Sequence, residues 1–341
     1  MKAVGCLHSL PITHPDSLQD FELPKPLPEE QDLLVRVEAV SVNPVDTKIR
    51  KSQPVGQESA TPCVLGWDVA GVVEAVGSQA SLFQLGDEVY YSGSLIRSGG
   101  NSEYHLVDES LVAKKPVSLN FSQAAALPLT AITAYEALFD RLGISEHNES
   151  GEETILIIGG AGGVGSLAIQ LAKIAKLHVI ATASRPESQA WCREMGADAI
   201  IDHTQSIPEK LQELGWPMVD YIFNTNQTDL HWGAMCEAIK PQGRICGIVD
   251  TVESVDLNAL KPKSATFVWE FMFTRSMYQT EDMIEQHQLL TQIAEWVDRQ
   301  KIQSTLTETL SPINAANLRT AHAKLESGRM IGKLVLTGWP P

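Results

Sequence analysis

The sequence lacks an excess of positive charge, a long apolar run and a basic N-terminal leader. Of its 341 residues, 26 are Lys or Arg and 42 are Asp or Glu, which gives a formal net charge of -16 at pH 7. A surface with this charge repels phosphate backbones and anionic lipid headgroups, which excludes binding to nucleic acid or membranes through bulk electrostatics. No run of about 18 apolar residues, the length that a membrane-spanning helix needs, is present. We therefore expect a cytoplasmic protein with neither a nucleic-acid nor a membrane partner.

Cysteine is also scarce, and its spacing fits neither a disulfide framework nor a metal site. The chain has five scattered cysteines, which are Cys6, Cys63, Cys192, Cys236 and Cys246. None belongs to a C-x-x-C pair, and no histidine lies at metal-ligand spacing from one of them. We expect reduced, buried thiols and no structural zinc site.

The length and the pattern of apolar residues predict two domains. A chain of 341 residues with 43% hydrophobic residues is too long for one compact core. Up to residue 126, segments such as 34–42 and 69–76 alternate like strands of a barrel-like β domain. From 127 to 270, short apolar strands alternate with helices, as in a parallel sheet covered on both faces. The end of the segment 271–341 has the pattern helix, glycine turn, strand, and we expect it to return to the first domain.

A glycine-rich stretch, GGAGGVG at 159–165, lies between a predicted strand at 154–158 and a predicted helix at 164–176. Interior glycines cost a helix or strand roughly 0.5 to 1 kcal/mol each, so five in seven positions need a reason. The spacing G-x-G-x-x-G at the start of a βαβ unit is the dinucleotide fingerprint, with pyrophosphate on the amides of the helix N-terminus. The alternative is a glycine turn without a ligand. The fingerprint assigns cofactor contacts to Gly160, Gly162, Gly163, Val164 and Gly165.

The next predicted strand, at 178–183, is followed by Ser184 and Arg185, and the carboxylate that usually holds a free ribose 2′-hydroxyl near the end of this strand is missing. The Ser184 hydroxyl and the Arg185 guanidinium are suited to binding a 2′-phosphate. We therefore predict NADP(H) rather than NAD(H). The alternative for Arg185 is an exposed, solvated side chain.

Several motifs together resemble the medium-chain dehydrogenase/reductase superfamily, and within it the quinone oxidoreductase-like members, often labelled zinc-type alcohol dehydrogenase-like. The matching segments are SVNPVDTKIR (41–50), VLGWDVAGVVEAVG (64–77), LGDEVY (85–90), LPLTAITAYEAL (127–138), GGAGGVG (159–165) and GRMIGKLVL (328–336). The resemblance implies an α/β protein with a Rossmann-type doubly wound parallel sheet plus a GroES-like β-barrel domain. It divides the chain into a GroES-like catalytic domain at 1–126, a Rossmann domain at 127–270 and a return to the catalytic domain at 271–341.

Zinc-dependent members of that superfamily hold a catalytic metal through three positions that correspond here to Asn43, Trp67 and about Leu129. None of these side chains is a good zinc ligand, since zinc prefers thiolate, imidazole or carboxylate. Asp46 and Asp68 are present, but the resemblance gives them supporting roles. We therefore expect no metal.

The resemblance also implies further site residues. The backbone from Asn43 to Val45 and the Thr133 hydroxyl border the nicotinamide. Phe271 and Lys333 are also assigned to the cofactor site, although the resemblance at these two positions is weaker. Residues just after two Rossmann strands line the cofactor cleft, and these are Thr225, Asn226, Gly247 and Ile248.

Four residues are candidates for the chemistry: Lys48, Asn43, Asp46 and Trp67. Lys48 lies where quinone reductases often have a tyrosine, which suggests an oxyanion-stabilising or proton-donating group; a surface lysine is the alternative. Trp67 is either an aromatic wall for a flat substrate or a core residue of the barrel.

These features predict an NADPH-dependent reductase of quinones or α,β-unsaturated carbonyls that transfers hydride without zinc. The alternatives are a zinc-dependent alcohol or carbonyl dehydrogenase and a non-catalytic NADPH-binding sensor or scaffold. The apolar, β-prone segment 263–273 predicts an edge strand, and we expect it to pair with its symmetry mate in a homodimer.

Overall fold

The computed structural model describes residues 1–54, 61–146 and 151–340, which form short strands followed by alternating strands and helices. The strands are β1 (Lys2–Cys6), β2 (Gln19–Glu22), β3 (Asp32–Ser41), β4 (Cys63–Val64), β5 (Asp68–Val76), β6 (Glu88–Ser92), β7 (Tyr104–Asp108), β8 (Val112–Lys114), β9 (Thr154–Ile158), β10 (His178–Thr182), β11 (Ala199–Ile201), β12 (Val219–Asn224), β13 (Ile239–Gly247), β14 (Thr266–Trp269), β15 (Leu306–Leu310) and β16 (Lys333–Thr337). The α-helices are α1 (Pro44–Ser52), α2 (Phe121–Ala125), α3 (Pro128–Tyr135), α4 (Gly163–Ile174), α5 (Pro186–Glu194), α6 (Ile207–Glu213), α7 (Thr228–Ala238), α8 (Thr274–Tyr278), α9 (Glu285–Asp298) and α10 (Ala315–Glu326). A π-helical turn covers Glu136–Arg141, and short 3-10 turns cover Pro15–Ser17, Glu109–Leu111 and Leu257–Lys263.

The chain divides into two compact units. The first unit consists of Met1–Leu129 and Phe273–Pro341, and the second unit is Thr130–Met272. Within the first unit the C-terminal strand β16 pairs antiparallel with β3, so the end of the chain does return to the N-terminal segment. Among the described residues, no helix combines the length and the apolar character needed to cross a bilayer.

The second unit is built on a parallel sheet with the strand order β11-β10-β9-β12-β13-β14. Numbered along the chain, this order is 3-2-1-4-5-6, the order of a doubly wound dinucleotide-binding fold. The central strand β9 has the sequence TILII and is buried along its whole length, as expected for a parallel strand covered on both faces. The predicted α/β class with a Rossmann-type sheet is confirmed.

The first unit is rich in antiparallel strands. One sheet has the order β15-β16-β3-β5-β6-β8, with β7 also pairing with β3, and a smaller sheet has the order β2-β1-β4. The long strand β3 buries most of its residues, while Arg36 points to solvent, because the apolar side chains of this strand form much of the core. The loop that follows β3 leads directly into α1.

The strand predicted at 263–273 is wrong in extent, since β14 covers only Thr266–Trp269. A 3-10 turn that contains Pro262 and ends at Lys263 comes before the strand. The next residue, Ser264, has a φ of +49°, which a strand does not accommodate. The segment 274–283 begins with the short helix α8. Pro128 separates two helices, since α2 ends at Ala125 and α3 starts at Pro128.

Candidate functional site

The glycine-rich stretch forms the turn between β9 and α4. Gly162 is the N-cap of α4, with φ of -72° and ψ of 170°, and it offers no side chain to cap the helix. The turn closes through a hydrogen bond from the Gly162 amide to the Gly159 carbonyl at 3.2 Å. The amides of the first helical turn, from Gly163 to Gly165, therefore lie at the carboxyl end of the central strand, where a helix dipole favours an anion.

Two of these glycines are required by packing inside the protein. A Cβ atom on Gly165 would lie 2.3 Å from the Gly159 carbonyl oxygen. A Cβ atom on Gly160 would lie 2.8 Å from the Cβ of Ala181. These close approaches hold the helix against the strand.

Gly162 is different, because nothing inside the protein requires a glycine there. A Cβ atom at this position would meet only the Gly159 carbonyl oxygen, at an ordinary contact distance of 3.6 Å. Its φ of -72° is available to any residue. The lack of a side chain at Gly162 leaves the backbone at the start of α4 open to close approach from outside.

The residues after β12 and β13 lie at the same edge of the sheet. Thr225 follows β12, and its Oγ1 donates to the Ile158 carbonyl at the end of β9 across 2.7 Å. Gly247 ends β13, and the Ile248 amide donates to the Asn224 carbonyl at 3.2 Å. Strand order reverses between β9 and β12, and ligands of open α/β sheets bind at such a reversal, beyond the carboxyl ends of the strands.

Hydrogen bonds of the Asn224 side chain hold the turn that follows β12. The Asn226 amide donates to the Asn224 side chain at 3.3 Å. The buried Asn224 side chain in turn donates to Thr228 Oγ1 at 3.0 Å, which fixes the turn after β12. Sequence reasoning missed Asn224, although its position as the last residue of an apolar strand was a usable signal.

Ser184 and Arg185 follow β10 at the same edge of the sheet. Arg185 is the N-cap of α5, and its amide donates to Ser188 Oγ at 3.2 Å. The guanidinium lies 3.1 Å from the exposed carboxylate of Glu187. The Thr182 hydroxyl, at the end of β10, accepts a hydrogen bond from the Gly159 amide at 3.0 Å, so this strand end is tied to the glycine turn.

In the first unit, Asp46 fixes the backbone around Asn43. The Asp46 carboxylate accepts from the Asn43 amide at 2.6 Å and from the Gly66 amide at 2.9 Å. Burial raises the pKa of Asp46 to about 7, while these two amides and Lys333 oppose the rise. The carboxylate therefore connects the loop before α1 to the turn that carries Trp67 and Asp68.

A buried lysine lies beside this loop. Lys333, whose side chain is only 4% exposed, donates through Nζ to the Val42 carbonyl at 3.0 Å, to Asp68 Oδ2 at 3.0 Å and to Asn43 Oδ1. The Asn43 amide nitrogen Nδ2 also donates to Asp68 Oδ2, at 2.7 Å. Asp68 Oδ1 accepts from the Leu129 amide at 2.7 Å. The result is a charge-balanced cluster, the Lys333 cluster, made of Lys333, Asp68 and Asn43.

The other residues singled out in the sequence lie in varied surroundings. Trp67 is 2% exposed, donates from Nε1 to the Ser94 carbonyl at 2.9 Å and packs edge-on against Phe273, as a core residue does. Lys48 is exposed on α1 and Val45 is partly buried. Thr133 is buried in α3, and Phe271 is exposed just after β14.

Sequence reasoning missed a buried acidic cluster in the second unit. Arg141 donates from Nε to Glu270 Oε2 at 2.9 Å, and its Nη2 lies 3.8 Å from Glu136 Oε2. Burial and the neighbouring Glu136 raise the pKa of Glu270 to about 9, against the opposing effect of Arg141. Glu136 and Arg141 both belong to the π-helical turn, a distortion often found at functional sites. A glutamate inside the apolar run KSATFVWEFMF was the signal in the sequence.

The donor set of the first unit does not fit a zinc ion. Across residues 1–54, 61–146 and 151–340, no group of three or more His, Cys, Asp or Glu side chains is arranged to hold a metal. Both carboxylate oxygens of Asp46 accept hydrogen bonds from backbone amides, and Asp68 accepts one from the ammonium of Lys333. A protein cation already neutralises the carboxylate that a metal would need.

Two family models match the chain. The model described as "Alcohol dehydrogenase GroES-like domain" matches residues 29–117. The model described as "Zinc-binding dehydrogenase" matches residues 195–336.

Curated relatives span either the whole chain or half of it. A zinc-type alcohol dehydrogenase-like protein of Staphylococcus aureus is 46% identical over 98% of this chain and 99% of its own. A 2-methylene-furan-3-one reductase of Solanum lycopersicum is 41% identical over 54% of this chain and 48% of its own. A quinone oxidoreductase of Pongo abelii is 40% identical over 53% of this chain and 52% of its own.

Solved structures share the fold along the whole chain. A Rhizobium etli protein described as a zinc-dependent alcohol dehydrogenase is 49% identical, with a TM-score of 0.95 and coverage of 100% of this chain and 99% of its own. The Escherichia coli quinone oxidoreductase, solved in complex with NADPH, is 23% identical with a TM-score of 0.83, over 99% of this chain and 100% of its own. At that identity the second likeness establishes the fold alone.

Proposed function

The chain belongs to the medium-chain dehydrogenase/reductase superfamily of oxidoreductases, and from this premise we propose that it is an NADPH-dependent reductase of quinones or α,β-unsaturated carbonyls that works without zinc. Members of this superfamily bind a nicotinamide dinucleotide. The proposal concerns which dinucleotide is bound, which acceptor is reduced and whether a metal takes part.

The environment of Gly162 is the observation that carries the proposal. The chain itself has room for a side chain at this position, which lies at the N-terminus of α4 and at the carboxyl end of β9. A pyrophosphate on the first-turn amides of α4 explains the missing side chain, since a methyl group there would keep the phosphate away from the backbone.

The end of β10 supports NADPH. Neither Ala183 nor Ser184 has a carboxylate that would repel a 2′-phosphate. The Arg185 guanidinium is partly exposed. Its present partner, Glu187, is exposed on the first turn of α5, so exchanging it for a phosphate costs little. An Arg–phosphate pair with two parallel hydrogen bonds is the stronger interaction.

The bound, reduced cofactor supplies a hydride. The residues of the first unit hold the backbone from Asn43 to Val45, which the family resemblance assigns to the nicotinamide, in one conformation. Asp46 binds the Asn43 amide, and Lys333 binds the Asn43 side chain, so neither end of this residue is free to rotate. A rigid backbone at this place favours transfer because reacting atoms have to be held near contact distance.

The part of the chain that the structure describes has no zinc ligand set, and this favours conjugated acceptors over alcohols. A bound Lewis acid promotes the oxidation of an alcohol, because it lowers the hydroxyl pKa and stabilises the alkoxide. A quinone or an enone already delocalises the negative charge that hydride addition leaves behind, and solvent or a nearby acid then supplies the proton. The names of two relatives, a quinone oxidoreductase and a 2-methylene-furan-3-one reductase, support this acceptor class, since that furanone has an alkene conjugated to a carbonyl.

A panel of acceptors tests the proposal. Purified protein with its zinc content measured is mixed with NADPH or NADH and with quinones, enones, aldehydes and ketones, and NADPH absorbance is followed. We expect consumption of NADPH with quinones or enones. Binding of NADPH without consumption with any acceptor would favour a sensor or scaffold, and turnover that follows the zinc content would favour a metal-dependent dehydrogenase.

We also propose a homodimer that forms through β14. This strand is the last in the order of the second unit's sheet, and Trp269 on it is 47% exposed. An exposed apolar edge is stabilised when a second copy pairs with it. Light scattering is expected to give a dimer mass, and Trp269→Lys is expected to give a monomer; a monomeric wild type at micromolar concentration overturns the proposal.

A further inference from the structure

Two cysteines face each other across two neighbouring strands of the first unit. Cys6 on β1 is the direct antiparallel partner of Cys63 on β4, and Gly5 is the partner of Val64. Side chains of directly opposed residues lie on the same face of a sheet, with Cα atoms about 4.5 to 5.5 Å apart. This separation falls within the range of roughly 4.4 to 6.8 Å that a disulfide spans.

The two strands approach each other closely at this pair. The Cys6 thiol donates to the Cys63 carbonyl at a sulfur–oxygen distance of 3.8 Å. A Cβ atom on Gly5 would lie 2.7 Å from the same carbonyl oxygen, so the absence of a side chain at position 5 permits the approach. The backbone therefore needs no large movement to join the two sulfur atoms.

The two thiols differ in accessibility and acidity. Cys6 is 1% exposed, whereas Cys63 is partly exposed. The interaction between the two thiol groups lowers the pKa of Cys63, whereas this interaction together with burial raises the pKa of Cys6. Because the thiolate is the nucleophile, Cys63 is suited to attack an oxidant and Cys6 to resolve the product.

The remaining cysteines have other surroundings. Burial raises the pKa of Cys192 to about 12, and it also raises the pKa of Cys246 and of Cys236. All three belong to the second unit. They serve as internal references for the reactivity of the first unit's pair.

We propose that Cys6 and Cys63 are a redox-active dithiol that peroxides oxidise to a cross-strand disulfide. The Cys63 thiolate sulfur attacks one oxygen of hydrogen peroxide; an S–O bond forms, the O–O bond breaks, and hydroxide leaves. The Cys6 sulfur then attacks the Cys63 sulfenic acid; the S–S bond forms, the S–O bond breaks, and water leaves with the Cys6 proton. Two thiols lose two electrons, and one peroxide becomes two waters. A thiol reductant reverses the modification.

Mass spectrometry on the full-length native protein tests the proposal. The reduced protein is treated with hydrogen peroxide, free thiols are alkylated, and the digest is searched for linked peptides. We expect a peptide pair joined through Cys6 and Cys63, with loss of two thiols from the native count. Cys192, Cys236 and Cys246 are expected to stay alkylatable after denaturation.

Two serine variants separate the roles of the two thiols. Cys6→Ser is expected to accumulate a sulfenic acid on Cys63, trapped by dimedone, and Cys63→Ser is expected to lose the response to peroxide. Cys236→Ser, the matched control, is expected to respond as the wild type does. A wild-type protein whose five thiols survive peroxide, a disulfide that involves another cysteine, or a Cys6→Ser protein without a dimedone adduct on Cys63 would overturn the proposal. The experiment on the wild-type protein tests the proposal even if a serine variant folds poorly.

Discussion

Lys333 donates a hydrogen bond to Asp68 across 3.0 Å in the interior of the first unit, although 264 residues separate them along the chain. Both side chains are buried, so the pair persists only because Asn43, the Val42 carbonyl and the Leu129 amide complete its hydrogen bonding. The Lys333 ammonium thus balances the negative charge of Asp68, so this carboxylate needs no metal ion beside it. The same cluster holds the Asn43 side chain, which accepts from Lys333 and donates to Asp68.

Breaking this pair is expected to destabilise the protein. Lys333→Met leaves the Asp68 carboxylate buried without its cation, which costs about 3 to 5 kcal/mol. The double variant Lys333→Met with Asp68→Asn is expected to regain part of that loss, since no charge is left unpaired. Denaturant unfolding measures both. The control is Lys48→Met, which removes an exposed lysine of α1 and is expected to change stability little. A Lys333→Met protein as stable as the wild type would refute the role of the Lys333 cluster.

Two alanine substitutions in the glycine turn are expected to have opposite effects. Gly162→Ala fits the free protein, because its Cβ atom lies 3.6 Å from the nearest atom, so stability changes little. The methyl group obstructs the pyrophosphate, and NADPH affinity is expected to fall at least about tenfold, or about 1.4 kcal/mol. Gly165→Ala places a Cβ atom 2.3 Å from a backbone oxygen and is expected to lower stability by about 1 to 3 kcal/mol. Calorimetric titration and thermal unfolding separate the two effects, and a Gly162→Ala protein with wild-type affinity argues against a phosphate on this turn.

The choice between NADPH and NADH is expected to depend on Arg185. Arg185→Ala removes a charge-assisted hydrogen bond to the 2′-phosphate, worth about 1.5 to 3 kcal/mol, so NADPH affinity falls roughly 10- to 100-fold. NADH affinity is expected to stay unchanged because NADH has no 2′-phosphate. Arg193→Ala, at an exposed position of the same helix, is the matched control for loss of charge. Equal loss of both affinities, or of neither, contradicts the assignment.

The raised pKa of Glu270 predicts a pH-dependent stability. The native protein keeps a proton on Glu270 up to about pH 9, whereas the unfolded chain releases it near the ordinary glutamate pKa of 4.5. This contribution is therefore fully present below pH 4.5 and is lost as the pH rises through 9, because unfolding releases a proton across this window. Glu270→Gln keeps an uncharged side chain at all pH values, and its amide oxygen can still accept a hydrogen bond from Arg141.

We expect Glu270→Gln to have nearly wild-type stability at pH 5, and we expect its advantage over the wild type to grow to several kcal/mol at pH 9, because each pH unit within the window costs the wild type about 1.4 kcal/mol. Thermal unfolding followed from pH 5 to 9 measures the difference. The exposed Glu253→Gln serves as control and is expected to follow the wild-type profile. A Glu270→Gln profile parallel to that of the wild type means that Glu270 is ionised in the native protein.

The sequence predicted the second unit well because its signals are local. The strand at 154–158 and the glycine turn after it follow from an apolar run and a spacing of glycines within a dozen residues. Lys333 beside Asp68 and Glu270 beside Glu136 and Arg141 were not foreseen, because each contact joins distant segments. Their effect depends on burial, which no single stretch encodes. The overestimated strand at 263–273 shows the same limit, since its apolar pattern continues beyond the residues that pair with β13.

The most direct test of a metal-independent, NADPH-dependent reductase is the rate of NADPH consumption with a quinone or an enone before and after exhaustive chelation, with zinc measured in the same samples. We predict turnover that exceeds the rate with NADH and does not change when zinc is removed. No consumption with any quinone or enone, or turnover that disappears with the zinc and returns when zinc is added, would contradict the account.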